Sequence, residues 1–255
     1  MRRVTSSADN AWYKTAFDSL YPILYPHRNR ADALRAVRFL RNQIPTRQGG
    51  LVLDLCCGAG RHLVELSAAG LRAVGLDLSR PMLESAARDL ETQGFDPMLV
   101  QGSMDRLPFR NAFDLAVNFF TSFGYFETDE ENGAVLREVA QALQPGGRFI
   151  IDYMNAPWVR ATLVPHSVEQ TATKLQVDTR RSIEGQPPRV VKRIKVSGGR
   201  VERQIVESVR LFERSELTSM LEQAGLRVAG TWGDFDGRVY GEMAPRCILM
   251  AEKPA

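Results

Sequence analysis

Residues that bind metals or cross-link chains are scarce in this sequence. Its 255 residues include three cysteines and three histidines. Cys56, Cys57 and Cys247 have neither a metal-ligand spacing nor the pattern of a disulfide framework. No structural metal is therefore expected, and a reducing, cytoplasmic compartment is. Apolar runs are short as well. None approaches the roughly 20 residues that cross a bilayer, and residues 1–10 lack the apolar stretch of a secretory signal. Excess charge is small, with 33 Lys and Arg against 30 Asp and Glu, so the balance does not call for a polyanionic partner. There is no internal repeat and no low-complexity segment. What remains is an ordinary globular composition, 44% hydrophobic and 25% charged. The length suits one α/β domain with an insertion.

Against that background one segment stands out, Leu51-Val-Leu-Asp54-Leu-Cys56-Cys57-Gly58-Ala59-Gly60-Arg61-His62. It is an apolar run ending in a carboxylate, then a Gly-x-Gly turn, then helix-forming residues. A second apolar run, Ala73-Val-Gly-Leu-Asp77, ends in another acid 17 positions after Gly60. Two adjacent parallel strands with this punctuation are how an α/β protein builds a nucleoside site. The glycines let backbone approach a ligand, and the helix that follows turns its N–H groups toward it. A dinucleotide fingerprint would place a third glycine where this chain has Leu63. Asp54 at the mouth of the turn would repel a pyrophosphate and would suit a cationic amine. Asp77 is placed to accept hydrogen bonds from ribose hydroxyls.

Strands are expected near 51–55, 72–77, 98–101, 113–119 and 148–153, alternating with helices near 60–69, 80–93 and 129–143, the last capped by Asp129. This alternation implies a parallel sheet. Residues 11–43 carry helical periodicity rich in aromatics, and Pro22 and Pro26 should divide them into two helices. Residues 166–212 change to period-two alternation, with Gly198-Gly199 as a hairpin turn. A helix at 213–224 and strands near 226–233 and 245–252 close the sheet. The expected units are a lid over 1–46, a core over 47–160 and 211–255, and an antiparallel insertion over 161–210.

At this point the chain resembles the class I S-adenosylmethionine-dependent methyltransferases, in particular the small-molecule type that acts on sugars and amines. The resemblance rests on six landmarks in order. Leu53-Asp54-Leu-Cys-Cys-Gly58-Ala-Gly60 is similar to the family's first motif and Gly75-Leu-Asp77-Leu-Ser-Arg-Pro-Met82 to its second. Gln101-Gly-Ser103-Met104-Asp105 resembles the adenine-side loop, and Phe113-Asp114-Leu-Ala-Val-Asn118-Phe the fourth strand. Leu143-Gln-Pro145-Gly146-Gly147 resembles the turn into the fifth strand, and the insertion resembles a cap over the active site. The resemblance implies a Rossmann-like, doubly wound, seven-stranded and mostly parallel sheet, with a small antiparallel β insertion after the fifth strand. It implies S-adenosylmethionine as cofactor, and contacts to it from Tyr21, Arg28, Asp54, Cys56, Gly58, Gly60, Asp77, Leu78, Met82, Ser103, Met104, Asp105, Asn118, Phe119 and Phe123. Arg28 would pair with the methionine carboxylate.

The reaction implied is transfer of a methyl group to an amine or hydroxyl of a small molecule by in-line displacement. Positioning supplies much of such a rate, so no compact triad is expected. Tyr125, after the fourth strand, matches a position at which related sugar N-methyltransferases place a polar ring near the acceptor. Its alternative is an aromatic patch packing beneath the insertion. Arg246 brings a charge into an apolar closing strand, which needs a reason; related enzymes aim an Arg here at the substrate. His62 is a candidate base by its ordinary pKa near neutrality, set against a plain packing role.

Two other readings compete. An RNA or other nucleic-acid methyltransferase would draw on the nine Lys and Arg between Lys174 and Arg203, which outnumber three acids there. That stretch has no aromatic on which a base could stack, and Asn118-Phe119-Phe120-Thr121 departs from the Asn/Asp-Pro-Pro-aromatic run of base-amine methylating enzymes. A solvated face that blunts a sheet edge is the simpler reading. A non-catalytic cofactor-binding protein on the same fold is the other. The oligomeric state is left open between a monomer and a homodimer.

Overall fold

The computed structural model describes residues 11–255 apart from Ser19, His27, Pro45 and Thr46. Residues 1–10 of the expected lid therefore lie outside the described residues. Three helices open the chain: α1 (Tyr13–Ala16), α2 (Tyr21–Leu24) and α3 (Arg30–Gln43). A βα alternation follows: β1 (Leu51–Leu55), α4 (Arg61–Ala68), β2 (Arg72–Asp77), α5 (Arg80–Thr92), β3 (Met98–Gln101), β4 (Phe113–Asn118), α6 (Asp129–Ala142) and β5 (Leu143–Met154). Next come α7 (Ala156–Thr162) and four strands, β6 (His166–Gln170), β7 (Gln176–Glu184), β8 (Arg189–Gly198) and β9 (Val201–Arg210). The chain closes with α8 (Arg214–Gln223), β10 (Arg227–Trp232) and β11 (Arg246–Glu252).

The large sheet has the order β10-β11-β5-β4-β1-β2-β3. Only β11 runs antiparallel to its neighbours, pairing with β5 on one side and β10 on the other. The central strands read as unbroken apolar runs because helices cover both faces. Leu53, Leu55, Phe149 and Ile151 face one core; Val52, Val117, Ile150 and Ile248 face the other. Helix α3 adds Ala36, Val37 and Leu40 to the second core at helical spacing. The second sheet, β6-β7-β8-β9, is antiparallel throughout. Among the described residues no helix is long and apolar enough to cross a membrane.

The structure departs from the sequence reading at several boundaries. The aromatic N-terminal stretch forms three helices. Pro22 sits in the first turn of α2, where a missing N–H is no loss, so it starts a helix rather than breaking one. The cap of α6 is Thr128, whose hydroxyl accepts from Glu131 N–H while Glu131 bonds back. Asp129 is freed to pair with Arg210 at 3.1 Å. Strand β5 begins at Leu143, several residues before the expected 148, and α7 has no counterpart in the reading because Pro157 obscured its start.

A third, smaller core joins the opening helices to the second sheet. Ala16 packs with Leu175, Ile194, Val196 and Ile205, and Trp12, Leu20, Ile23 and Leu24 close over them. Polar ties reinforce it: Trp12 Nε1 donates to Ser208 O at 3.0 Å and Arg203 pairs with Asp18 at 2.9 Å. A further tie, Ser79 Oγ to Phe17 O at 2.9 Å, fastens this roof to the loop after β2. The roof thus hangs over the carboxyl ends of β1, β2 and β4.

Gly60 fixes how closely α4 approaches α5. Its φ is +81°, and a Cβ there would lie 2.7 Å from that of Ala86. Gly60→Ala is expected to cost about 2–4 kcal/mol, from a left-handed side chain and overpacking together. Urea unfolding midpoints check this, and a shift no larger than that of an exposed Gly94→Ala control would contradict it.

Candidate functional site

Strand order reverses between β1 and β4, and a crevice opens there at their carboxyl ends. The turn after β1 is pinned from β2. Cys57 N–H donates to Leu76 O at 3.1 Å, and Gly58 N–H donates to Asp77 Oδ2 at 2.8 Å. The other Asp77 oxygen accepts Ser79 N–H at 2.8 Å. One carboxylate therefore joins the loops after both strands. Burial raises its pKa, and these backbone donors oppose the rise. A Cβ on Gly58 would meet nothing within 4 Å, so the turn faces open space. The close contact that a third helix glycine would provide is reversed here. Leu63 on α4 reaches β2, and a Cβ on Gly75 would lie 2.6 Å from its Cδ1.

Asp54 ends β1 at 1% exposure, and its Oδ2 has no hydrogen-bond partner among the described residues. Burial pushes its pKa up to about 7; Arg61 opposes the rise and Asp77 adds to it. An unpaired buried carboxylate is costly unless something cationic joins it.

Three connected spaces surround this turn. The first lies beside Asp77, Leu78, Met82, Ser103, Met104 and Tyr125. The second holds Asp54, Arg28, Arg61, His62, Phe119 and Phe120. Tyr21, Cys56, Gly58, Met82 and Ser122 border both, so they form one crevice. The third lies under the small sheet, between Trp12, Phe17, Met154, Lys192 and Glu207, and shares Tyr21, Arg28, Phe120 and Tyr125 with the others.

The aromatic roof is dense. Tyr125 meets Trp12 edge-on at 4.8 Å and stacks on Phe17 at 5.9 Å and Tyr13 at 6.2 Å. Burial drives the Tyr125 pKa well upward, so its hydroxyl keeps its proton. Arg28 donates to Tyr21 Oη and lies over the rings of Tyr21 and Tyr25, 5.5 and 4.7 Å from their centres. Among the described residues its guanidinium has no ion pair. Tyr25 Oη donates to Glu207 at 2.6 Å and accepts from Lys192 at 2.5 Å.

Most residues singled out from the sequence converge on the crevice, but several do not line it. Gly60 shapes the turn from behind. Asp105 accepts from the Ser103 hydroxyl at the rim. Asn118 is buried and donates to Leu55 O and Ser122 O at 3.0 and 3.3 Å, bracing the end of β4. Phe123 packs into the core against Tyr153 and Phe212. Arg246, expected to face an acceptor, is held instead by Asp152, to which Nη1 donates at 2.7 and 2.8 Å. The charge in the closing strand is thus answered inside the fold. His62 stacks on Phe119 and Phe120, and burial, with Arg61 and Arg246 nearby, holds its pKa well below the usual value.

Trp12 and Phe17 of the aromatic N-terminal stretch and Ser122 of the segment after β4 also line these spaces, and Lys192, expected on a solvated strand face, lines the third. Lys192 lies on the same face of β8 as Val190, Ile194 and Val196, which face inward, and it is register-paired with Glu207. That period-two pattern was the available signal.

Residues 52–147 match a family of methyltransferase domains. The chain is 29% identical over 246 residues to dTDP-3-amino-3,4,6-trideoxy-alpha-D-glucopyranose N,N-dimethyltransferase of Streptomyces venezuelae, spanning 89% of this chain and 96% of that protein. It is 28% identical over 210 residues to cypemycin N-terminal methyltransferase of a Streptomyces species, spanning 80% and 84%. The crystal structure of Streptomyces venezuelae DesVI superposes with a TM-score of 0.67 at 27% identity, over 92% of this chain and 97% of that one.

The Asp54 carboxyl gives the ligand-free protein a pH signature. Its folded pKa, about 7, stands above the value near 4 of an unfolded chain. The folded state holds the extra proton between these values, so stability falls as pH rises through that window. Asp54→Asn is expected to match the wild type near pH 4 and to be more stable at pH 8, by on the order of 2–4 kcal/mol. Urea midpoints at pH 4, 6 and 8 read the difference; a gap independent of pH would contradict it.

Proposed function

Residues 52–147 match a methyltransferase domain and the chain shares its fold with an S-adenosylmethionine-dependent methyltransferase; from that premise we propose that it moves a methyl group from S-adenosylmethionine to an amine of a small polar molecule. The observation that carries the cofactor half is the unpaired, buried Oδ2 of Asp54 beside a glycine turn that faces open space. An ammonium group there supplies the missing charge, and a pyrophosphate would be repelled.

The residues fit the cofactor along the crevice. Asp77 still has lone pairs for ribose hydroxyls after accepting its two backbone N–H groups. Leu78, Met82 and Met104 form an apolar slot for a planar base, with Ser103 and Asp105 at its edge. Asp54 takes the ammonium and Arg28, which has no ion pair among the described residues, takes the carboxylate. Tyr21 and Cys56 border the space between these ends. Bound S-adenosylmethionine supplies an electrophilic methyl on a sulfonium. What the chain adds is alignment and exclusion of water. Trp12, Phe17 and Tyr125 provide aromatic faces for a cationic centre and shut the crevice from solvent. The Tyr125 hydroxyl stays protonated, so it orients an acceptor by hydrogen bonding rather than acting as a base. A neutral amine needs no base to attack.

The acceptor chamber supports a small polar acceptor. Its floor is the aromatic roof of the crevice, and its wall carries Lys192 and Glu207. We assign the described residues up to Ile44 as a lid and 161–210 as a cap, with 47–160 and 211–255 as the cofactor-binding core. Four of the nine basic residues between Lys174 and Arg203 are paired within the chain: Lys192 with Glu207, Arg193 with Glu184, Lys195 with Glu202 and Arg203 with Asp18. That favours a small acceptor over RNA. The names of the relatives, an amino-sugar N,N-dimethyltransferase and a peptide N-terminal methyltransferase, favour nitrogen over oxygen.

The first experiment is calorimetry with S-adenosylmethionine, followed by a screen of amino sugars, small amines and phenols with labelled methyl donor. Label appearing only on phenols would sink the amine assignment. Asp77→Ala should weaken cofactor binding about 10–100-fold, since each charge-assisted hydrogen bond is worth about 1.5–3 kcal/mol. With an acceptor in hand, Tyr125→Phe should lower kcat by about tenfold or less and leave cofactor affinity nearly intact. Loss of cofactor binding with unchanged turnover per bound cofactor would move Tyr125 to the scaffold.

A further inference from the structure

Asp152 lies within β5 at 0% exposure, and none of the steps above uses it. Its two oxygens accept from Arg246, and Oδ2 also accepts Phe120 N–H at 2.7 Å. Its carbonyl oxygen accepts Thr121 N–H at 3.0 Å. Phe120 and Thr121 have φ of 59° and 58°. Adjacent left-handed residues that carry side chains persist only where their surroundings over-determine them. Here those surroundings converge on Asp152.

The turn presents the ring of Phe120. Guanidinium carbons of Arg61 and Arg246 lie 4.1 and 4.5 Å from its centre, and His62 stacks on it at 5.4 Å. The ring borders the space that holds Asp54 and Arg28, and also the chamber beside Lys192 and Glu207. It does not border the space beside Asp77.

We propose that Asp152 is a positioning residue: by holding Phe120 and Thr121 in their left-handed turn, it sets the wall between the amino-acid end of the crevice and the acceptor chamber. This rests on the reading of the crevice as an S-adenosylmethionine site. The two halves of that crevice then respond differently when the turn is released. The amino-acid end loses its wall, and the nucleoside end keeps Asp77, Leu78 and Met104.

The test uses wild type, Asp152→Asn, Thr121→Gly and the double variant. Calorimetry compares S-adenosylhomocysteine with 5′-methylthioadenosine, which has the nucleoside without the amino-acid end. Asp152→Asn should weaken S-adenosylhomocysteine about tenfold and change 5′-methylthioadenosine by less than about twofold. Thr121→Gly relieves the turn without touching the Phe120 ring, and in the double variant it should restore most of the lost affinity. Equal weakening of both ligands, unchanged S-adenosylhomocysteine affinity in Asp152→Asn, or no recovery in the double variant overturns the proposal. Should Asp152→Asn fail to fold, a folded and binding double variant supports it and continued failure overturns it. A wild type that binds neither ligand refutes the cofactor reading by itself. The turn is then judged by melting temperature: recovery on adding Thr121→Gly supports the proposal, and no recovery overturns it.

Discussion

The crevice depends first on a single carboxylate at the end of β2. Asp77 accepts one backbone N–H from the loop after β1 and another from the loop after its own strand. Without it, two loops of independent length would each need another partner for a buried donor. With it, the spacing between the Gly turn and the apolar slot beside Leu78, Met82 and Met104 is fixed by covalent geometry and two hydrogen bonds of 2.8 Å. The packing behind the loops follows the same logic. Gly60 lets α4 close on α5, and Gly75 lets Leu63 of α4 close on β2, each leaving no room for a side chain. Together they fix α4 so that its N-terminus points into the crevice.

Much of this was legible in the chain because it is local. Strand-end acids, a Gly-x-Gly turn and alternating helices and strands are signals a few residues long, and each fixes backbone where it stands. The antiparallel sheet announced itself equally well through period-two alternation and Gly198-Gly199. What stayed hidden is non-local. Arg246 looked like a charge in want of a ligand, and its partner is Asp152, on the neighbouring strand and 94 residues away in sequence. Lys192 looked solvated, and its partner Tyr25 is 167 residues away. Phe123 and Asn118 sit among residues that line the crevice but point into the core, a distinction that depends on how the turn after β4 runs. No spacing rule announces two consecutive left-handed residues such as Phe120 and Thr121.

The opening helices and the small sheet are joined by one shared core. Their shared core of Ala16, Leu175, Ile194, Val196 and Ile205 is separate from the two cores of the main sheet. Apolar burial here stabilises closure of the roof without demanding anything from the β1 turn. The polar network of Tyr25, Lys192 and Glu207 lies beside that core and faces the chamber. Burial lowers the Lys192 pKa, and Glu207 counters it. The same contacts that hold the roof down therefore also set the polarity of the space where an acceptor would sit.

Departures from good local chemistry collect at one end of the sheet. Among the described residues, five that are not glycine have positive φ, and Cys56, Phe120 and Thr121 of these surround the crevice. Among the described residues four buried side-chain polar atoms lack a hydrogen-bond partner, and three of them, on Asp54, His62 and Asn118, belong to the same neighbourhood. A fold selected for stability alone would pair or remove such groups. Their cause differs from one to the next. Asn118 spends its donor on Leu55 and Ser122 and leaves its acceptor idle, which is a local geometric limit. His62 is boxed in by aromatic rings and kept neutral. Only Asp54 is both ionisable in the physiological range and open to the crevice. Its unmet charge is therefore the one whose satisfaction by a cationic ligand group returns the most free energy, and a phosphate group set there would be repelled.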